Sequence, residues 1–145
     1  MRGALTAYAV LGAYRAVGLL GAPFIRRHLI QRSAQGKEDA ERLGERLGFP
    51  GALRPQGPLI WLHAASVGES MSVLPLIERI SAEWPEFKFL VTTGTVTSAR
   101  LLADRLPPEA FHQYVPVDVR APVRRFLDRM KPPAAARDRA RAESP

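Results

Sequence analysis

"LHAASVGESMSVLPLIERI", Leu62–Ile80, decides how this chain is read. An apolar run that reads as a buried strand ends in small residues, and the turn closes on the carboxylate of Glu69. An apolar helical pattern begins directly behind it. Val73, Leu76, Ile77 and Ile80 recur at helical spacing and make a stripe suited to packing on a sheet. Pro75 lies inside that pattern. A helix starting between Gly68 and Met71 accommodates it, since first-turn N–H groups have no intrahelical partner.

The same grammar repeats downstream. Strand-like runs occupy 59–63 (LIWLH), 87–92 (FKFLVT) and 111–115 (FHQYV), and helical patterns come after them near 69–83, 96–105 and 121–130. Strands alternating with helices of this length predict βαβ units, hence an α/β fold with a Rossmann-like parallel sheet and flanking helices. In the last helix Val123, Phe126, Leu127 and Met130 form the apolar stripe, with Arg124, Arg125, Asp128 and Arg129 outward. Ligands of such sheets bind at the carboxyl ends of the strands. That singles out two loops, "HAASVGE" (63–69) and "TTGTVTSA" (92–99). Backbone N–H groups at these helix starts suit an anionic or sugar-phosphate group. Neither loop carries a dinucleotide or P-loop fingerprint, and ordinary capping by Thr and Ser is the competing account of the second.

Glu69 has two readings on position and charge. A carboxylate in a first helical turn is stabilised by the helix dipole, by about 0.3–1 kcal/mol. Alternatively it is a general base at the mouth of the sheet, with Ala64, Ala65, Ser66 and Gly68 small enough to admit a substrate hydroxyl. His63 at the strand end either orients that site or is structural. His112, inside an apolar strand, reads as packing, and His28 joins a basic cluster. No Ser/His/Asp set is evident, and the three histidines lack metal-ligand spacing.

Composition bounds the partners. With 145 residues and 46% hydrophobic content the chain has room for one ordinary domain, and wholesale disorder is excluded. It has no cysteine, which removes disulfides and thiolate metal sites. The net charge is +7, with eight Arg/Lys against four Asp/Glu in residues 1–50. This basic excess lies beside the most apolar stretch and lacks interleaved aromatics, which favours a membrane surface or phosphorylated partner over nucleic acid. Residues 3–25 are apolar apart from Arg15 and a few small polar positions, and "RRHLIQR" comes directly after them. A cleaved signal, a spanning helix, a helix lying in the interface and a helix of the protein core are the competing readings. The interfacial one lets Arg15 snorkel and puts Arg26, Arg27 and Arg32 on lipid head groups. The basic rim places the downstream residues on the cytoplasmic side.

The expected organisation is a membrane-associated helix (1–36), a short charged helix and linker (37–57), the βα repeats (58–131) and a tail without core residues (132–145). Within the linker, Leu43 and Leu47 share one face and Gly48 reads as a helix stop.

The blocks "IWLHAASVGE", "PLIERI", "FLVTTGTVTSA" and "YVPVDVRAPVRRFLDRMKP", in this order and spacing, closely resemble the N-terminal half of the 3-deoxy-D-manno-octulosonic acid (Kdo) transferases. The apolar start and "ERLGERLGF" (41–49) match as well, so the resemblance runs over about residues 5–132. It implies the N-terminal half of a GT-B fold, working without metal or cofactor. The implied reaction is inverting transfer of Kdo from CMP-Kdo to the phosphorylated lipid A precursor of lipopolysaccharide, at the cytoplasmic face of the inner membrane. It implies that Glu69, which closes the H-A-x-S-x-G-E block, is the proton acceptor. His63, Ser66, Gly68, Thr93, Gly94 and Thr95 then line the acceptor side. The family continues with a further strand and an E-x-E-L-W-P-N block, where this chain has "PAAARDRARAESP" (133–145), a composition resembling an out-of-frame reading. The expectation is therefore an acceptor-side fragment, inactive alone, with an exposed sheet edge. A non-enzymatic membrane-bound remnant or acceptor-lipid binding module is the alternative, and an unrelated phosphate-binding Rossmann-like domain a third.

Overall fold

The computed structural model describes residues 21–131. The first part of the expected membrane helix (1–20) and the tail (132–145) lie outside the described residues. Helix α1 covers residues 21–34. It is followed by α2 (Leu43–Arg46), β1 (Leu59–Ala64), α3 (Val67–Glu83), β2 (Lys88–Thr93), α4 (Val96–Ala103), β3 (Ala110–Tyr114) and α5 (Arg120–Met130).

The strands form one parallel sheet in the order β1-β2-β3, which agrees with the βαβ expectation. β2 is central, and Phe89 to Thr93 are all buried along it. A nearly continuous apolar run is what a strand covered on both faces requires. On one face Phe89 and Val91 meet Ile77 of α3 and Leu102 of α4, with Ile60, Leu62, Val73, Ile80 and Ala110 packed around them. Side chains alternate across a strand, so Trp61 points to the other face. There it meets Phe126 of α5 edge to face, with ring centroids 5.1 Å apart.

Two local expectations change. The helix behind Glu69 begins at Val67, because Ser66 caps it by accepting the Glu69 N–H. Pro75 therefore lies in the helix interior rather than the first turn. It is exposed, and its missing N–H leaves the Met71 carbonyl without its usual donor. The charged stretch 37–49 yields only the single turn α2. Gly48 does stop it, at φ 83°. A Cβ there would lie 2.1 Å from the Pro122 carbonyl oxygen, so this glycine also lets α5 approach.

The outer edge of β3 is not bare. Arg42 Nη2 donates to the His112 carbonyl at 3.1 Å, and Glu45 Oε2 accepts the Tyr114 N–H at 2.7 Å. Arg46 donates to the Val115 carbonyl, and its own carbonyl accepts the Val117 N–H at 2.8 Å. The turn at α2 thus takes the place of a neighbouring strand on this side of the sheet. The outer edge of β1 has no strand partner among the described residues.

Beside this seam, α1 and α2 enclose an apolar groove of about 480 Å³, lined by Leu29, Ile30, Leu43, Leu47 and Phe49 with Arg26 at its rim. Among the described residues no helix is long and apolar enough to cross a membrane.

Candidate functional site

The register places Ala64 opposite Thr93. The β1–α3 turn (Ala65, Ser66) and the β2–α4 turn (Gly94, Thr95) therefore leave the sheet side by side at its carboxyl end. Each feeds a helix capped by a hydroxyl: Ser66 Oγ accepts the Glu69 N–H at 3.2 Å, and Thr95 Oγ1 accepts the Ser98 N–H at 3.2 Å.

Glu69 is exposed, in the first turn of α3. Its Oε2 accepts the Ala65 N–H at 2.9 Å, and its Oε1 lies 3.3 Å from the Ser66 hydroxyl. This is a capping box whose carboxylate reaches one residue further back than the usual partner. A carboxylate offers about four lone-pair sites and only two are engaged. The carboxylate is oriented, accessible and able to accept a further proton donor.

The other candidates separate by accessibility. Ser66 and Gly68 are exposed beside Glu69, Thr95 is exposed across the gap, and Gly94 is half-buried. A Cβ at Gly68 or Gly94 would make only ordinary contacts, at 3.9 Å in each case, so the fold itself does not demand glycine at either position. His63 is exposed, and its Nδ1 lies 3.0 Å from Thr92 Oγ1. That hydroxyl also accepts the Trp61 indole N–H at 2.9 Å. Thr93 is fully buried, and its hydroxyl is 2.9 Å from His112 Nε2, so its side chain faces inward and not toward the loops. Arg26 and Arg27 are exposed on α1. Arg32 is paired with the buried Glu38 at 2.9 Å, which Arg46 approaches from the other side at 3.3 Å.

His112 does more than pack. Its imidazole sits between Arg42 Nη2, 3.0 Å from Nδ1, and the Thr93 hydroxyl at Nε2. Burial, and then the Arg42 charge, lower its pKa to about 4. Tyr114, edge-on to the same ring, has its phenol pKa raised, first by burial and then by Asp39. Sequence reasoning missed the buried carboxylates Glu38 and Glu45. In "KEDAERLGERLGF" every turn carries charge, so no position stands out as the buried one. The Arg42/Glu45 spacing was the one available signal.

Among the described residues no three His, Asp or Glu side chains gather as a metal site.

A family model described as 3-deoxy-D-manno-octulosonic-acid transferase (Kdo transferase) matches residues 41–137. A probable mitochondrial 3-deoxy-D-manno-octulosonic acid transferase of Arabidopsis thaliana is 38% identical over 121 residues, 83% of this chain and 27% of that protein. The 3-deoxy-D-manno-octulosonic acid transferase of Rickettsia bellii is 45% identical over 97 residues, 67% of this chain and 23% of its own length. That of Haemophilus influenzae is 31% identical over 122 residues, 82% of this chain and 28% of its own. The chain thus spans about a quarter of the length of these relatives. No solved structure matches it.

Proposed function

This chain belongs to the 3-deoxy-D-manno-octulosonic acid transferase family, and from that premise we propose that it forms the acceptor-facing part of a GT-B glycosyltransferase. The reaction is inverting transfer of Kdo from CMP-Kdo to a hydroxyl of the phosphorylated lipid A precursor, at the cytoplasmic face of the inner membrane. Glu69 accepts the proton of that hydroxyl as its oxygen attacks the anomeric carbon. The bond from that carbon to the phosphate oxygen breaks, and its electron pair leaves with CMP. No cofactor or metal takes part. The observation that carries this reading is the exposed Glu69 carboxylate, oriented by Ala65 and Ser66 at the carboxyl end of the sheet.

Ser66, Gly68, Gly94 and Thr95 border the space before Glu69, and His63 supports it from β1. Thr93 contributes through the backbone it anchors. Arg26 and Arg27 meet lipid phosphates. The donor is held by a separate domain. Positioning two reactants supplies about 7–11 kcal/mol of barrier lowering, so residues 1–145 alone give no turnover.

The test is a chimera in which residues 41–131 replace the matched segment of the Rickettsia bellii relative. Kdo transfer by the chimera, with none by residues 1–145 alone, supports the proposal. Product from residues 1–145 with CMP-Kdo and acceptor lipid contradicts it.

The apolar groove with Arg26 at its rim favours one second reading, an acceptor-lipid binding module without catalysis. Lipid-dependent flotation together with an inactive chimera supports that reading instead.

A further inference from the structure

His112 takes no part in the proposed chemistry, yet its position and its protonated nitrogen are both fixed by the fold. Arg42 Nη2 is 3.0 Å from Nδ1. A guanidinium only donates, so Nδ1 presents its lone pair and the ring proton sits on Nε2. At 2.9 Å, Nε2 then donates to Thr93 Oγ1. Arg42 cannot swing away freely, because Glu45 holds it through two bonds of 2.7 and 2.8 Å. Glu45 is itself anchored by the Tyr114 N–H at 2.7 Å. The Tyr114 ring closes the remaining side, 5.2 Å from the imidazole and 84° to it, with the Arg42 guanidinium 4.7 Å above the phenol. Asp39 acts on Tyr114 from the segment before α2.

Thr93 is where this arrangement meets the candidate site. It is the last residue of β2, the register partner of Ala64, and fully buried. Its rotamer is therefore set by protein partners. The chain leaves the sheet directly after it, through Gly94 into the Thr95 cap of α4.

We propose that His112 is a positioning residue: Arg42 locks it as the neutral Nε2–H tautomer, and its bond to Thr93 fixes where Gly94 and Thr95 leave the sheet beside the Glu69 turn. The consequence for acceptor binding rests on the proposed transferase function, whereas the geometry is tested without turnover. Burial and the Arg42 charge keep the ring neutral well below pH 6.5, so the loop holds one position across neutral pH.

The experiment records imidazole and backbone ¹⁵N resonances of the full chain, residues 1–145, between pH 7.5 and 3.5. The expected result assigns His112 to the Nε2–H tautomer, neutral until about pH 4, with the Gly94 and Thr95 amides moving in the same titration. His112→Gln, whose amide nitrogen stands in for Nε2, leaves those two amides in place. His112→Asn and Thr93→Val shift them. An Nδ1–H tautomer, a titration near pH 6.5, or Gly94 and Thr95 amides unmoved by His112→Asn overturns the proposal. Where a variant fails to fold, the tautomer and titration of the unsubstituted chain decide. Moved amides with an inactive chimera leave the positioning role standing and reject the function. Unmoved amides with an active chimera do the reverse.

Discussion

Glu45 Oε2 accepts the backbone N–H of Tyr114 at 2.7 Å, on the outer edge of β3. The same carboxylate grips Arg42, which serves the neighbouring His112 carbonyl, so one side-chain pair satisfies two groups that a further strand would otherwise take. Its side chain is only 5% exposed. Arg42 is partly solvated, so the main loss on deleting the carboxylate is the buried Tyr114 N–H left without an acceptor, at a cost of about 1–3 kcal/mol. Glu45→Ala is expected to destabilise by that amount in chemical denaturation. Glu45→Gln, which still offers an oxygen to Tyr114, costs less. A Glu45→Ala midpoint equal to that of the unsubstituted chain removes the edge-sealing role.

His112 makes stability depend on acidity. Its folded pKa is about 4 against an ordinary 6.5, so between these values the unfolded chain binds a proton that the folded one does not. Stability therefore rises with pH through this window and is level above it. At 1.36 kcal/mol per unit, the loss on acidifying from pH 6.5 to 4 is up to about 3 kcal/mol. Denaturation midpoints of the unsubstituted chain and His112→Gln are compared across the window. The His112 contribution disappears from the difference if both fall equally.

Gly48 and Gly36 separate backbone strain from close approach. Both have positive φ, 83° and 70°, but only at Gly48 would a Cβ meet backbone, the Pro122 carbonyl. Gly36→Ala is expected to cost about 1–2 kcal/mol, the left-handed penalty alone. Gly48→Ala costs clearly more, because α5 must also move. Equal melting shifts for the two variants contradict the approach of α5 to Gly48.

The arginines of α1 divide into two roles. Arg26 and Arg27 are exposed, so reversing both to Glu weakens flotation with anionic liposomes and leaves the melting temperature unchanged. Arg32 is tied to buried Glu38, so Arg32→Ala lowers the melting temperature. Undiminished flotation of the Arg26→Glu/Arg27→Glu variant rejects the membrane-contact role.

The alternation of strand and helix, the parallel order and the two loops at the carboxyl ends are legible in the sequence because periodicity and hydroxyl caps are local signals. Thr95 caps α4, as the capping account of its loop has it. The start of α3 is less legible and lies about two residues ahead of its expected place: Pro75 argues for a later start, while the Ser66 cap fixes an earlier one. Burial of Glu45 is not legible, because it depends on a turn folding against β3, some seventy residues on in the sequence, at Tyr114; Glu38 is covered where Arg32 and Arg46 converge on it. The inward turn of Thr93 is hidden for the same reason: alternation tells which face a residue takes, not which partner waits there.

Glu69 is the residue on which the proposed chemistry turns, and its cap offers a clean separation of roles. Gln is accepted at this position of a capping box, so Glu69→Gln keeps the helix start while removing the base. In the chimera, Glu69→Gln is expected to lower the rate of Kdo transfer by about 10²–10⁴-fold with an unchanged melting temperature. A Glu69→Gln chimera that transfers Kdo at the unsubstituted rate contradicts the proposed base, and leaves Glu69 as a helix cap alone.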